Sequence, residues 1–231
     1  MFKRDHHIRI AAILQALDAD LLRQHQCYFG GGTAIVLSRN EYRESVDIDF
    51  LISDLDHYRL LRQLITGSKG ISAIVREGFS LVPLREIRAD QYGVRTMLQV
   101  AQAEIKFEII HEGRIELEPP SPANRICGVS TLTLIDMAAS KLLANSDRWA
   151  DDSVFSRDVI DLAMLDLPRA KLSAAIKKAK AAYGESVERD LLRAIDKLRE
   201  RVDRLDDCMD ALQMNQVPKA LLWQKIRKLK P

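Results

Sequence analysis

Hydrophobic positions change their period several times along this chain, and each change marks an element. From Asp5 to Gln26, Ile10, Leu14, Leu17 and Leu21 recur at helical spacing with charged residues on the other face. That predicts one amphipathic helix with Asp5 as its N-cap. Cys27-Tyr28-Phe29 then reads as a short strand ending in Gly30-Gly31-Gly32, and TAIVLSR as a short helix beginning at the hydroxyl-bearing Thr33. SVDIDFLI, residues 45–52, alternates as a strand. Leu60, Leu61, Leu64 and Ile65 return to helical spacing over Leu55–Thr66, with Gly67 and Gly70 as the stop. Between residues 71 and 118 the runs GFSLVPL, YGVRTMLQV and EIKFEIIHEG predict further strands of one mixed sheet.

The run LEPPSPANRICG interrupts any regular element and places a domain boundary between residues 120 and 121. Beyond it helices are predicted over Ser130–Ser146, Val154–Asp166, Arg169–Tyr183, Glu185–Leu212 and Val217–Leu229. In the fourth, Val187, Leu191, Ile195, Leu198, Val202, Leu205, Met209 and Leu212 form a seam of the kind that packs within a bundle. The pattern therefore gives an α+β chain: a mixed β-sheet with flanking helices over 1–120, then a C-terminal helical bundle over 121–231.

Composition narrows the setting. With 231 residues, 47% hydrophobic and 29% charged, the chain can bury a sizeable core. Its apolar runs are too short to span a bilayer, and MFKRDHHIRI lacks the apolar centre of an export signal, so a cytoplasmic location and no membrane partner are expected. Cys27, Cys127 and Cys208 have spacings that suit neither a disulfide framework nor a zinc site. His6, His7, His25, His57 and His111 show no ligand spacing and read as surface or satisfied residues. The net charge of +2 does not advertise a nucleic-acid binder. Lys219, Lys225, Arg227, Lys228 and Lys230 beside Trp223 are either an RNA face or a helix end that complements its own dipole.

The candidate chemistry centres on Asp47 and Asp49. Alternation directs both carboxylates to one face of their strand and Val46, Ile48 and Phe50 to the other. Two like charges about 4 Å apart repel by roughly 4 kcal/mol at an effective dielectric of about 20, so the pair calls for a cation or a shared proton. Magnesium, or manganese, held by Asp47 and Asp49 and by substrate phosphates meets that need. Gly31 and Gly32 let backbone N–H groups approach a phosphate, and the helix starting at Thr33 directs its positive dipole end there. Each element alone has a plain structural reading, as a tight turn or a solvated edge. Their order, strand, glycine turn, short helix and acidic strand, points to a nucleoside triphosphate site.

GGTA at Gly31–Ala34 followed by RESVDIDF at Arg43–Phe50 resembles the signature of nucleotidyltransferase-fold proteins, most closely the AbiEii/AbiGii-type toxin nucleotidyltransferases. The resemblance implies a small mixed sheet with its metal-binding acids on adjacent strands. It also implies a third carboxylate downstream, and the matching register Lys106-Phe107-Glu108-Ile109 offers Glu108, where the family more commonly has Asp. MAASKLLANSDRWADDSVFSRDVIDLAML is similar to the family's second signature, at Lys141, Ala144, Arg148, Arg157, Asp158 and Asp161. Carried over to these positions, Lys141 contacts nucleotide phosphates, and Asp158 completes the active centre by positioning or deprotonating the acceptor hydroxyl. Ser45 joins the nucleotide-binding set, and Arg43 contacts the triphosphate or pairs with Asp47.

What this resemblance implies is a magnesium-dependent nucleotidyltransferase toxin of a toxin–antitoxin system, with a nucleoside triphosphate as donor and a cognate antitoxin as partner. The acceptor hydroxyl to test first is that of RNA, at the tRNA 3′ end. A small-molecule antibiotic or a protein hydroxyl is the alternative acceptor, and a non-catalytic partner-binding module with the same fold is the alternative of another class. The helical part is expected to complete the active site.

Overall fold

The computed structural model describes residues 2–230, which form two compact units: the chain up to Ser38 with Ser45–Thr133, and Arg39–Glu44 with the chain from Leu134 onward. In the first unit the chain runs α1 (Asp5–Ala16), α2 (Ala19–Gln24), β1 (Tyr28–Phe29), α3 (Gly31–Ser38), β2 (Ile48–Ile52) and α4 (Leu55–Thr66). It continues through β3 (Val82–Pro83), β4 (Arg88–Ala89), β5 (Gly93–Val100), β6 (Ala103–His111), β7 (Arg125–Ile126) and β8 (Val129–Ser130). The main sheet has the order β1-β2-β6-β5-β3, with β4 also paired to β5. It is mixed because β2 and β6 run parallel while the other pairs are antiparallel.

Alternation explains which face of the sheet is dry. Ile48, Phe50 and Ile52 of β2 and Ile105, Phe107 and Ile109 of β6 are fully buried, and the rings of Phe29, Phe50 and Phe107 stack across three neighbouring strands with centroids 5.5 and 5.8 Å apart. Each such aromatic pair contributes about 0.5–1.5 kcal/mol beyond its buried area. In α4, Asp54 caps the helix by accepting from the His57 N–H at 2.8 Å, and Tyr58, Leu61 and Ile65 form the stripe that packs inward. Leu60 and Leu64 of the same run face out.

Several local expectations fail for reasons that lie elsewhere in the chain. The first helix is not continuous: Leu17 is extended and bridges Val75, the Asp18 N–H donates to Ile74, and the Asp18 carboxylate caps α2 through Leu21. Asp5 is a first-turn residue, and Arg4 occupies the N-cap position. The strand around the acidic motif begins at Ile48, so Asp47 precedes it and Val46 is exposed instead of buried. The first unit reaches Thr133 rather than residue 120, because β7 and β8 form a hairpin and Leu132 donates to Phe29 at the sheet edge. Ser130 accordingly lies in β8, outside the helix it was expected to start.

The second unit is helical: α5 (Leu134–Arg148), α6 (Arg157–Met164), α7 (Arg169–Tyr183), α8 (Ser186–Glu200), α9 (Arg204–Ala211) and α10 (Lys219–Arg227). Helix α5 packs against α6, α7 and α8, and α10 packs against α6. The expected 185–212 helix is broken at Arg201–Asp203, where Asp203 takes a left-handed conformation and Val202 is 87% exposed. Asp152 explains the break, since Arg201 donates to its carboxylate at 2.9 Å and Arg204 donates to its carbonyl at 2.9 Å. Hydrogen bonds from Lys197 and Arg201 hold the Asp152 carboxyl down to about 2. On either side of the break the seam still packs, with Val187, Leu191, Ile195, Leu198, Leu205, Met209 and Leu212 buried. Among the described residues no helix is long and apolar enough to cross a membrane.

Candidate active site

In the first unit the glycine turn and the acidic strand meet directly. Helix α3 begins at Gly31, two residues before the Thr33 start that the sequence suggested, so Gly31, Gly32 and Thr33 form its first turn. Gly31 has φ +67°, and a Cβ there would lie 2.9 Å from the Asp49 Cβ and against its carboxylate oxygen. The conformation and the close approach both require glycine. First-turn N–H groups lack intrahelical acceptors, so this helix end presents positive partial charge beside Asp49.

Asp49 and Glu108 are register partners in the parallel β2–β6 pair, which places both carboxylates on one face of the sheet. Glu108 is already engaged: Arg95 Nε lies 3.2 Å from one oxygen and Lys106 Nζ 2.5 Å from the other. Arg95 was not singled out in the sequence, because only the β5–β6 register sets it opposite Glu108.

The hydroxyls of Thr33 and Ser45 do not stand free to receive phosphate. Thr33 Oγ1 donates to the Asp47 carbonyl, and the two hydroxyl oxygens are 2.8 Å apart. A carbonyl only accepts, so Thr33 spends its proton there and Ser45 is the donor to Thr33. The Ser45 N–H donates in turn to Nε2 of the fully buried His7 at 3.2 Å. Nε2 is an acceptor in this bond, which places the neutral ring's proton on Nδ1. This chain fixes the backbone that carries Asp47. His7 thus belongs to the satisfied class expected of it, but no local signal tied it to Ser45.

In the second unit, Lys141 of α5 and Asp158 and Asp161 of α6 form one buried cluster. Lys141 Nζ lies 3.0 Å from Asp158 Oδ1 and 2.6 Å from Asp161 Oδ2. Arg148 binds the Asp158 carboxylate at 2.7 and 2.9 Å. Arg43 was expected at the triphosphate or on Asp47; instead its guanidinium clasps Asp161 at 2.7 and 2.8 Å, and the Tyr42 hydroxyl donates to the same carboxylate at 2.6 Å. Phe155 and Ser156, both left-handed, delay α6 until Arg157, so Asp158 falls in its first turn, where a negative charge is favoured.

Burial alone would raise the carboxyls of Asp158 and Asp161. The charges and hydrogen bonds of Lys141 and Arg148 at Asp158, and of Arg43 and Lys141 at Asp161, outweigh it and hold both below the usual range. Burial and the Asp161 carboxylate push the Tyr42 hydroxyl well up, so it stays a neutral donor. Three cations, Arg43, Lys141 and Arg148, face the two carboxylates, and the Asp147 carboxylate also acts on Arg148.

The donor set fits a metal that arrives with its substrate. Among the described residues no group of three or more His, Cys, Asp or Glu side chains forms a ready cage. Magnesium needs none when one or two carboxylates and the substrate's phosphates complete its shell. No ion pair holds the half-buried Asp47 carboxylate among the described residues, and Gly31 leaves Asp49 its space.

A mixed sheet with a glycine helix start against an acidic strand, followed by a helical unit, defines the class: this is a nucleotidyltransferase fold. The chain belongs to the AbiEii family, described as nucleotidyl transferase AbiEii toxin, type IV TA system, whose model matches residues 12–227. It is therefore a nucleotidyltransferase of a toxin–antitoxin family, and that family implies a nucleotide substrate and an antitoxin partner. Two crystal structures share the fold. One is a proposed nucleotidyltransferase from Helicobacter pylori, at 16% identity and TM-score 0.51, over 98% of this chain and 93% of that one. The other is JHP933 from Helicobacter pylori, at 16% identity and TM-score 0.50, over 100% and 94%. Among curated proteins none matches.

Proposed function

We propose that this protein transfers a nucleotide from a magnesium-bound nucleoside triphosphate to an RNA hydroxyl, with the tRNA 3′ end as the acceptor to test first. The observation that carries the reading is the placement of Asp49 against the Gly31 helix start and beside Glu108 across β2–β6. Asp47 and Asp49 would hold the magnesium, which when bound neutralises charge on the phosphates. The N–H groups of Gly31 and Gly32 would donate to phosphate oxygens. Thr33 and Ser45 serve by holding Asp47 in place. Glu108, clasped by Arg95 and Lys106, supports the centre through its charge rather than as a direct ligand.

Asp158 acts as a positioning group. A carboxylate held ionised by two cations takes up a proton poorly, which argues against a role as general base. Lys141 carries charge of the sign a triphosphate attracts, and with Asp158 and Asp161 it is held in one geometry before substrate arrives. The test is incubation of the purified protein with magnesium, each labelled triphosphate and total tRNA. Labelled RNA that disappears with Asp49→Ala supports the reading. No labelled RNA with any triphosphate, together with unchanged growth inhibition by Asp49→Ala on induction, refutes it.

A further inference from the structure

The first unit contains a cavity of about 910 Å³ beside the ends of β2, β5 and β6, separate from the glycine turn. Tyr58, Arg59, Arg62, Tyr92, Arg95 and Glu112 are among the residues that line it. Its volume falls within the range of small-ligand pockets, and four of its lining residues are arginines. Glu112 is buried and taken up by Arg114 at 2.7 and 2.9 Å, so that carboxylate is already neutralised.

Arg95 is likewise held, by Asp90 at 3.1 Å and Glu108 at 3.2 Å, which leaves Arg59 and Arg62 as the cations that keep their attraction for an anion. Arg59 pairs with Asp56 at 3.2 Å, a surface pair in which the carboxylate is 85% exposed. Such pairs contribute little in water and yield readily to a phosphate that accepts two guanidinium bonds. Arg62 donates to the Asp90 carbonyl at 3.0 Å, so a dipole rather than a carboxylate answers its charge. Its position is built: the guanidinium lies 5.7 Å over the Tyr58 ring, Tyr58 stacks on His111 at 5.2 Å, and the Tyr58 hydroxyl donates to Asp90. Tyr92, at the rim, is 64% exposed. A cationic wall beside an exposed aromatic ring is how proteins hold single-stranded nucleic acid, with phosphates on the cations and a base on the ring. The same wall would repel a cationic antibiotic.

We propose that this cavity is the docking site for a single-stranded RNA segment, with phosphates against Arg59 and Arg62 and a base stacked on Tyr92. The proposal deepens the transferase reading, on which it rests for the role of RNA as acceptor. It selects RNA over a protein or an antibiotic, and it predicts that the acceptor's unpaired end carries the binding energy.

The experiment is fluorescence anisotropy of a labelled single-stranded RNA dodecamer with the full chain, titrated at several salt concentrations. Arg59→Ala/Arg62→Ala should weaken binding at least tenfold and reduce the salt slope by about 1.4, roughly 0.7 for each single-strand phosphate that is no longer neutralised. Tyr92→Ala should weaken it by about fivefold or more. Arg59→Lys/Arg62→Lys, which keeps the charges, should bind within about threefold of wild type with little change of slope. Thermal melts confirm that each variant folds. Affinities within twofold of wild type and an unchanged slope in both alanine variants overturn the proposal. So does displacement of the RNA by free magnesium–triphosphate or by an acidic peptide in preference to unlabelled RNA.

The transfer assay on the same preparation separates the two readings. Transfer with unaltered RNA affinity in the variants removes this site alone. Absence of transfer with variant-sensitive RNA binding removes the transferase reading and leaves the site.

Discussion

Arg43 and Asp161, 118 residues apart in the chain, are joined by two hydrogen bonds of 2.7 and 2.8 Å, with side chains only 4% and 0% exposed. A two-point guanidinium–carboxylate pair in a dry setting is strong, and its loss leaves the survivor charged and desolvated. Arg43→Ala and Asp161→Ala should each cost about 3–5 kcal/mol in urea denaturation. The double variant should cost less than their sum. Arg43→Lys should fall between, because an ammonium cannot reproduce the planar fork. Single variants within 0.5 kcal/mol of wild type, on the order of an ordinary surface change, would contradict this account.

Asp158 ties stability to acid. Its folded carboxyl is held low by Lys141 and Arg148 against the opposing effect of burial. A depressed carboxyl stabilises the fold fully above the unfolded value of about 3.9, and the contribution is lost as pH falls through the folded value. Wild type should therefore lose stability steeply below about pH 4. Asp158→Asn, already weakened at neutral pH, should lose less over that range. Chemical denaturation between pH 7 and pH 3 reads the difference, and parallel curves for the two proteins would remove Asp158 from the acid response.

Gly31→Ala tests the helix start. The substitution meets both a left-handed backbone at φ +67° and the Asp49 side chain. It should cost about 1–2 kcal/mol in backbone conformation alone, with a further penalty as Asp49 is displaced. Nucleotide transfer should fall at least a hundredfold while the circular dichroism spectrum stays that of the wild type. Retained transfer would show that Gly31 does not set the site.

Asp47→Asn and Asp49→Asn should separate activity from stability. Asp47 carries no ion pair among the described residues, so losing its charge should leave the melting temperature close to wild type, while Asp49, beside the positive start of α3, should lower it only modestly when neutralised. Transfer and growth inhibition should disappear in the same variants. A large fall in melting temperature would mean that these carboxylates serve the fold instead.

Thr33→Val removes the hydroxyl that holds the Asp47 carbonyl and keeps the side chain's shape. It should cost about 1–3 kcal/mol through the unsatisfied carbonyl and lower kcat more than KM. The reverse pattern, a raised KM with kcat intact, would return Thr33 to the phosphate-binding role that its sequence position suggested.

Local rules were enough for part of this protein. Period-two alternation identified the buried faces of β2 and β6, and the i, i+3 spacing of Asp158 and Asp161 put both on one helix face, where both now bind Lys141. Two ordered motifs also led to the family that matches residues 12–227. The partners of these groups were set by the fold. Whether Arg43 meets Asp47 or Asp161, whether Glu108 faces Arg95, and whether the helix after Asp5 continues past Leu17 each depend on a group far along the chain. Arg201 and Arg204 likewise break an apolar seam that propensity would continue, because Asp152 offers their charges a better arrangement. Hydrophobic period is written into neighbouring residues, whereas strand register and charge pairing are fixed only when the folded chain brings distant groups within a few ångströms. The aspartates could be found in the sequence; the groups that hold Asp47, Asp158 and Asp161 in place could not.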